Sequence, residues 1–220
     1  MLIRSGVELA DVDSPAWPAV RSLVEASAGA RALPVERAQG LQALEALQVT
    51  ARSTLGALAL NCGGITADHG WFRLLGGGSD GLPDLAIANG LGDPSESKAP
   101  PFLLVAVDAI GGRFAVDGGG LGVRPGEVCY FGPDTLQWEG MGGGHSAFVE
   151  SVLTGEMGKT FAPLRWSTWA HDVERLRLDQ GFSAYPPPFT EEGQDLENVS
   201  RRPVPLGQLL AYYEDAALQL

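Results

Sequence analysis

Apolar residues recur at helical spacing near both ends of the chain and as short runs through its middle. Ser14 and Pro15 suit a helix start, and Trp17, Val20 and Leu23 or Val24 form a stripe that ends near Gly29. A second helix is predicted from Val35 to Val49, with Leu41, Leu44 and Leu47 on one side. From Thr54 the period changes. Leu55 to Leu60 and Trp71 to Leu75 are short apolar runs around a Cys62-Gly63-Gly64 break and are predicted as strands. Gly76 to Pro101 lacks apolar periodicity and is predicted as loop, with Asp84 to Asn89 a short strand or a turn of helix.

Phe102 to Val107 and Arg113 to Val116 flank Asp108 to Gly112, the pattern of an antiparallel hairpin. A second hairpin joins Glu127–Phe131 to Leu136–Glu139 through Gly132 to Thr135. Helical spacing then returns with Phe148, Val149, Val152 and Leu153, which stops at Gly155. It continues in a helix capped by Ser167 that carries Trp169, Val173 and Leu176 and ends at Gly181. A closing helix from Pro205 buries Leu209, Leu210, Tyr213 and Ala217, and Tyr185 to Ser200 is predicted as a surface excursion. Helices, then strands, then helices predict an α+β fold with a mostly antiparallel central sheet covered by helices. No repeat or linker divides the chain, so a single domain over 1–220 is expected, with a helical extension from about residue 161.

Charge narrows the partners. With 27 acidic and 15 basic side chains the net charge is -12, which argues against direct binding to nucleic acid or to an anionic membrane. The 30 glycines are nearly twice the roughly 7% background and generate motif matches. Gly76 to Gly81 fits G-x-G-x-x-G but runs into a loop, and Gly142 to Ala147 fits the variant ending in Ala without a surrounding βαβ unit. Ser79 within Gly77–Gly81 fits G-x-S-x-G, with His145 or His171 downstream and Asp108, Asp117 or Asp134 to orient one of them, yet no strand enters and no helix leaves. Cys62 and Cys129 lack CxxC spacing, which leaves one disulfide or two buried thiols. The N-terminus has no apolar signal run and no stretch reaches transmembrane length, so the expected compartment is the cytoplasm, with no membrane contact.

The chemistry-bearing residues are few. His69, His145 and His171 are too widely spaced for a metal site, and no cofactor is expected. Only His69 adjoins a carboxylate, Asp68, and the two would converge only in a turn. That pair is the candidate for a small-molecule site or a hydrolase; a structural histidine is the alternative. Trp71, Trp138, Trp166 and Trp169 form either a recognition surface or core. Arg201 and Arg202 either pair locally or hold an anion.

Several phrases together resemble a bacterial family filed as domain of unknown function 2625. They are Leu55 to Ile65, Asp68-His-Gly-Trp71 leading to Arg73–Gly76, Leu103–Ala106 followed by Gly111–Ala115, and Tyr130-Phe131. Further on come Pro133–Leu136, Trp138-Glu139, Asp179–Ser183 and Ser200–Pro205. More distantly, the N-terminal helices, the Asn61–Gly64 turn, the hairpin with Asp108 and Gly111-Gly112, and the Ser146–Phe148 helix start are similar to the SUKH superfamily of immunity and scaffold proteins. That resemblance covers a core of about 1–160 and implies a sheet with helices on one face and a binding surface on the other. The expected function is therefore a non-catalytic protein-binding domain, immunity-like or scaffold. A basic protein partner would meet Asp68, His69, Asp134 and Glu139, with Trp71 or Trp138 as aromatic anchor.

Overall fold

In the computed structural model, residues 3–95 and 98–219 are described. The fold is α+β. Four helices open it: α1 (Gly6–Ala10), α2 (Trp17–Ala26), α3 (Arg37–Leu47) and α4 (Thr54–Asn61), with β1 (Arg31–Leu33) between α2 and α3. β2 (Gly64–Ala67), β3 (Phe72–Leu75), β4 (Phe102–Asp108), β5 (Arg113–Asp117), β6 (Val128–Phe131) and β7 (Trp138–Gly140) follow. Then come α5 (His145–Leu153), α6 (Glu156–Thr160), α7 (Trp169–Val173), the strands β8 (Gln180–Tyr185) and β9 (Ser200–Pro205), and α8 (Leu206–Ala217).

The first seven strands pair antiparallel in chain order, and β8 and β9 form a separate two-stranded sheet. Helices α2 to α5 pack on one another, and Leu44, Leu58, Phe148 and Val152 join Ile65, Leu74, Val105 and Phe114 of the sheet in one buried cluster. The predicted hairpins across Asp108–Gly112 and Gly132–Thr135 form as β4–β5 and β6–β7, the second with a turn that extends through Gln137.

Strands β1 and β2 and helix α6 were not predicted, and three further features differ from the sequence pattern. Leu55 to Leu60 is helical, within α4. Ser53 caps it, its hydroxyl accepting from the Gly56 N–H at 3.0 Å, and Gly56 to Leu60 are all buried. A run buried on every side carries no period that separates helix from strand. Glycine is required at Gly56, where a Cβ would stand 2.2 Å from the Thr50 carbonyl oxygen. Second, α7 stops at Val173 where a helix to Gly181 was predicted, and Gln180–Tyr185 pairs with Ser200–Pro205 in a hairpin whose long connection is the predicted excursion. Third, α1 is marked by Ser5 and Glu8, whose side chains complete a capping box that the sequence pattern shows but apolar spacing misses. The predicted loop from Gly76 to Pro101 is irregular apart from a 3₁₀ turn at Ile87–Asn89; its residues Glu96 and Ser97 lie outside the described residues.

A seven-stranded meander puts every second turn at the same end. The registers Ala67↔Phe72, Phe72↔Asp108, Arg113↔Phe131 and Phe131↔Trp138 bring the β2–β3, β4–β5 and β6–β7 turns to one end of the sheet. The chain from Phe161 onward closes over it. The Phe182 N–H donates to the Ala109 carbonyl at 2.7 Å. Leu209 and Tyr213 pack where Gly111, at φ 88°, leaves no room for a side chain. Among the described residues no helix is long and apolar enough to cross a membrane.

Candidate functional site

The β2–β3 turn is the strained feature of this end. Asp68, His69 and Gly70 have φ of 53°, 58° and 88°, so two non-glycine residues stand consecutively in the left-handed region. Each costs about 1–3 kcal/mol, which the surroundings must offset. The Asp68 carbonyl accepts from the Trp71 N–H at 2.9 Å, and its carboxylate takes the Arg165 guanidinium in a largely buried ion pair. Gly158 makes room for that carboxylate, because a Cβ there would come within 2.6 Å of the oxygen. Arg165 in turn lies over the rings of Trp169 at 4.0 Å and Trp71 at 4.9 Å.

His69 faces outward. Its Nδ1 is 2.6 Å from Glu174 Oε1, its ring meets Trp169 edge-on at 5.4 Å, and its side chain is 47% exposed. Asp68 and His69 thus share a turn but take different partners: Asp68 turns inward to Arg165 and His69 pairs with Glu174. Trp71 is fully buried, between Trp166 and Trp169. Its indole N–H and the Arg165 Nε are buried without a hydrogen-bond partner among the described residues.

Beside this turn, Asp108 is buried at the β4–β5 hairpin. Oδ1 accepts from the Ile110 and Gly112 N–H groups at 3.0 and 2.7 Å, and Oδ2 accepts from the Tyr130 hydroxyl at 2.8 Å. Burial pushes its carboxyl up to about 6, with those bonds and the Arg73 charge pulling the other way. Arg73, buried in β3, donates to the carbonyls of Gly70 (3.3 Å), Leu178 (3.0 Å) and Gln180, and ties the turn to the start of β8.

Asp134, Trp138 and Glu139 stand at the β6–β7 turn, three to four strand spacings from the His69 turn, or about 15–20 Å. Asp134 is half-buried and Glu139 exposed on the edge strand. Trp138 is half-buried against Phe102 and Phe131, and Arg113 lies over Phe131 at 4.3 Å while pairing with Glu214 of α8. The six predicted residues therefore form two triplets at one end of the sheet, the second of them packed against α8. Sequence reasoning missed Arg165, Glu174, Arg113 and Glu214. Glu174 and Glu214 are ordinary surface residues in sequence; Arg73 and Arg113, charges within or at the head of apolar runs, were the local signals.

The remaining candidates sit apart. Ser79 lies in a turn closed by reciprocal 2.9 Å bonds with Leu82. Cys62 and Cys129 are free and buried, and burial pushes the Cys62 thiol up to about 12. Among the described residues no group of three or more His, Cys, Asp or Glu could hold a metal ion.

A family model described as "Protein of unknown function DUF2625" matches residues 7–209. The chain belongs to this family. YbfG of Escherichia coli (strain K12) is 36% identical over 186 residues, 81% of this chain and 82% of its own. A Haemophilus influenzae protein is 36% identical over 143 residues, 62% of this chain and 60% of its own. No solved structure matches. The DUF2625 match runs from α1 into α8, so the segment that closes over the sheet end belongs to the family's common length.

Proposed function

We propose that this DUF2625 protein is a non-catalytic protein-binding domain, immunity-like or scaffold, that meets a basic protein partner at the His69 turn. The supporting observation is the pair of consecutive left-handed non-glycine residues, Asp68 and His69, held from below by Arg165. Strain of this kind gathers at ligand clamps, where it fixes a side chain before the partner arrives. Here it fixes an exposed His69 beside Glu174, with half-buried Trp169 beneath. Trp169 takes the anchor position, because Trp71 is inside. The net charge of -12 favours a basic partner through faster encounter, and the resemblance to SUKH immunity and scaffold proteins points to the same class.

The test is capture from native lysate on immobilised wild type and on the double variant His69→Ala, Glu174→Ala. The wild type is expected to retain a basic protein at low salt and release it as salt rises; the double variant is expected to retain at least tenfold less. Equal retention by both proteins, or none by either, rejects the reading. Loss of the His69–Glu174 pair should cost less than about 1 kcal/mol, because both side chains are roughly half exposed, so thermal melting checks that the variant stays folded.

One geometry favours a second reading. A carboxylate on Nδ1 with the ring exposed is the arrangement that orients a histidine as a general base. If the chain catalyses hydrolysis, Glu174 and not Asp68 is the orienting group. Any hydrolytic activity found should then fall in Glu174→Gln and survive in Asp68→Asn.

A further inference from the structure

The β8–β9 hairpin and the first half of α8 enclose a groove of about 500 Å³, within the range of small-molecule sites. Its polar lining is Ser183, Tyr185, Ser200, Arg202, Gln208 and Tyr212, over an apolar floor of Val204 and Leu209. The register explains the lining. Ser183 pairs with Arg202 and Tyr185 with Ser200, so these four side chains share one face of the hairpin. The opposite face carries Phe182, against Trp166 at 5.4 Å, and Arg201, over the same indole at 4.6 Å.

The two adjacent arginines therefore have different surroundings. Arg201 donates to the carbonyls of Leu196 and Val199 and is stacked. Arg202 points to the groove side, and among the described residues its guanidinium makes no hydrogen bond or ion pair, although acidic side chains outnumber basic ones by 27 to 15. Tyr185 and Tyr212 stand on the rim, 75% and 44% exposed. Tyr212 is braced by Phe189 at 6.2 Å and Tyr213 at 5.3 Å.

We propose that this groove binds a small planar molecule bearing one carboxylate. The carboxylate takes the Arg202 fork in a bidentate pair, and the planar body lies between the two tyrosines on Val204 and Leu209. A single guanidinium with neutral hydroxyl and amide donors around it matches one negative charge. A phosphate dianion would meet the field of a chain with net charge -12 and no second cation in the lining.

The test titrates the full chain with four probes: 2-naphthoate, its uncharged amide 2-naphthamide, inorganic phosphate, and a peptide with a free aromatic C-terminal residue. Calorimetry gives affinity, and tyrosine fluorescence reports the rim. The expected result is 2-naphthoate binding at least tenfold tighter than the amide and the phosphate. Arg202→Gln should lose at least tenfold for 2-naphthoate, Arg202→Lys should recover part of it, and Tyr212→Ala should weaken it, with thermal melting unchanged in all three. Absence of 2-naphthoate binding, or affinity unaffected by Arg202→Gln, overturns the proposal. Arg202-dependent binding of phosphate as tight as that of 2-naphthoate would make this an inorganic-anion site. Binding of the peptide alone would make it a protein-tail site. Either result equally overturns the proposal.

Discussion

Arg73→Met is expected to destabilise the protein by about 3–5 kcal/mol, measured by urea unfolding at neutral pH. Arg73 is 2% exposed, and its guanidinium serves three carbonyls, those of Gly70, Leu178 and Gln180. Methionine fills a similar volume and offers no donor. The three oxygens would then stay buried without partners, and Asp108 would lose a facing positive charge. Burial lowers the Arg73 pKa to about 10, so it is charged at neutral pH and the loss includes that charge. Because two of the carbonyls precede or begin β8, limited proteolysis should cut first between α7 and β9. Arg73→Lys keeps the charge but not the fork, and is expected to lose roughly half as much. A loss below about 1 kcal/mol for Arg73→Met would show that the arginine does not join the sheet to its closing segment.

The same contact explains what the sequence could and could not tell. The β4–β5 and β6–β7 hairpins were legible because their turn chemistry is local: the Asp108 carboxylate bonds N–H groups two and four residues on. The β8–β9 hairpin was not, because the carbonyls that end the preceding helical stretch are held by Arg73, more than a hundred residues earlier. α4 was hidden for another reason, its burial on all sides. At the site, Asp68 and His69 drew notice as neighbours of complementary chemistry. Their partners Arg165 and Glu174 lie 97 and 105 residues away, at a distance where spacing carries no signal. Trp71 and Trp138 look alike in sequence; the segment from Phe161 onward separates them, covering one fully and packing only partly against the other on its edge strand.

The stability of Asp108→Asn is expected to fall by about 2 kcal/mol between pH 6.5 and 4.5, relative to wild type at the same pH. Two buried groups act in opposite directions in the wild type. His145 opens α5 with both ring nitrogens buried and unpartnered among the described residues, and burial lowers its pKa from 6.5 to about 4. Below pH 6.5 the unfolded chain protonates this ring while the folded one does not, so acid removes stability, by up to about 3 kcal/mol at ~1.4 kcal/mol per pKa unit. Asp108 does the reverse. Its carboxyl titrates near 6 when folded and near 3.8 when unfolded, so the folded state takes up the extra proton, and acid adds about 3 kcal/mol in all, about 2 of it between pH 6.5 and 4.5. The two contributions nearly cancel. Asparagine keeps an oxygen for the Ile110 and Gly112 N–H groups and cannot ionise, so it exposes the histidine's loss. His145→Gln should show the opposite slope. Carboxylates with lowered pKa, such as Glu8 and Asp172, affect both proteins alike and do so mainly below this window. Chemical unfolding at half-unit pH steps separates the cases; an Asp108→Asn profile parallel to wild type would mean that the buried carboxyl does not take up a proton on folding.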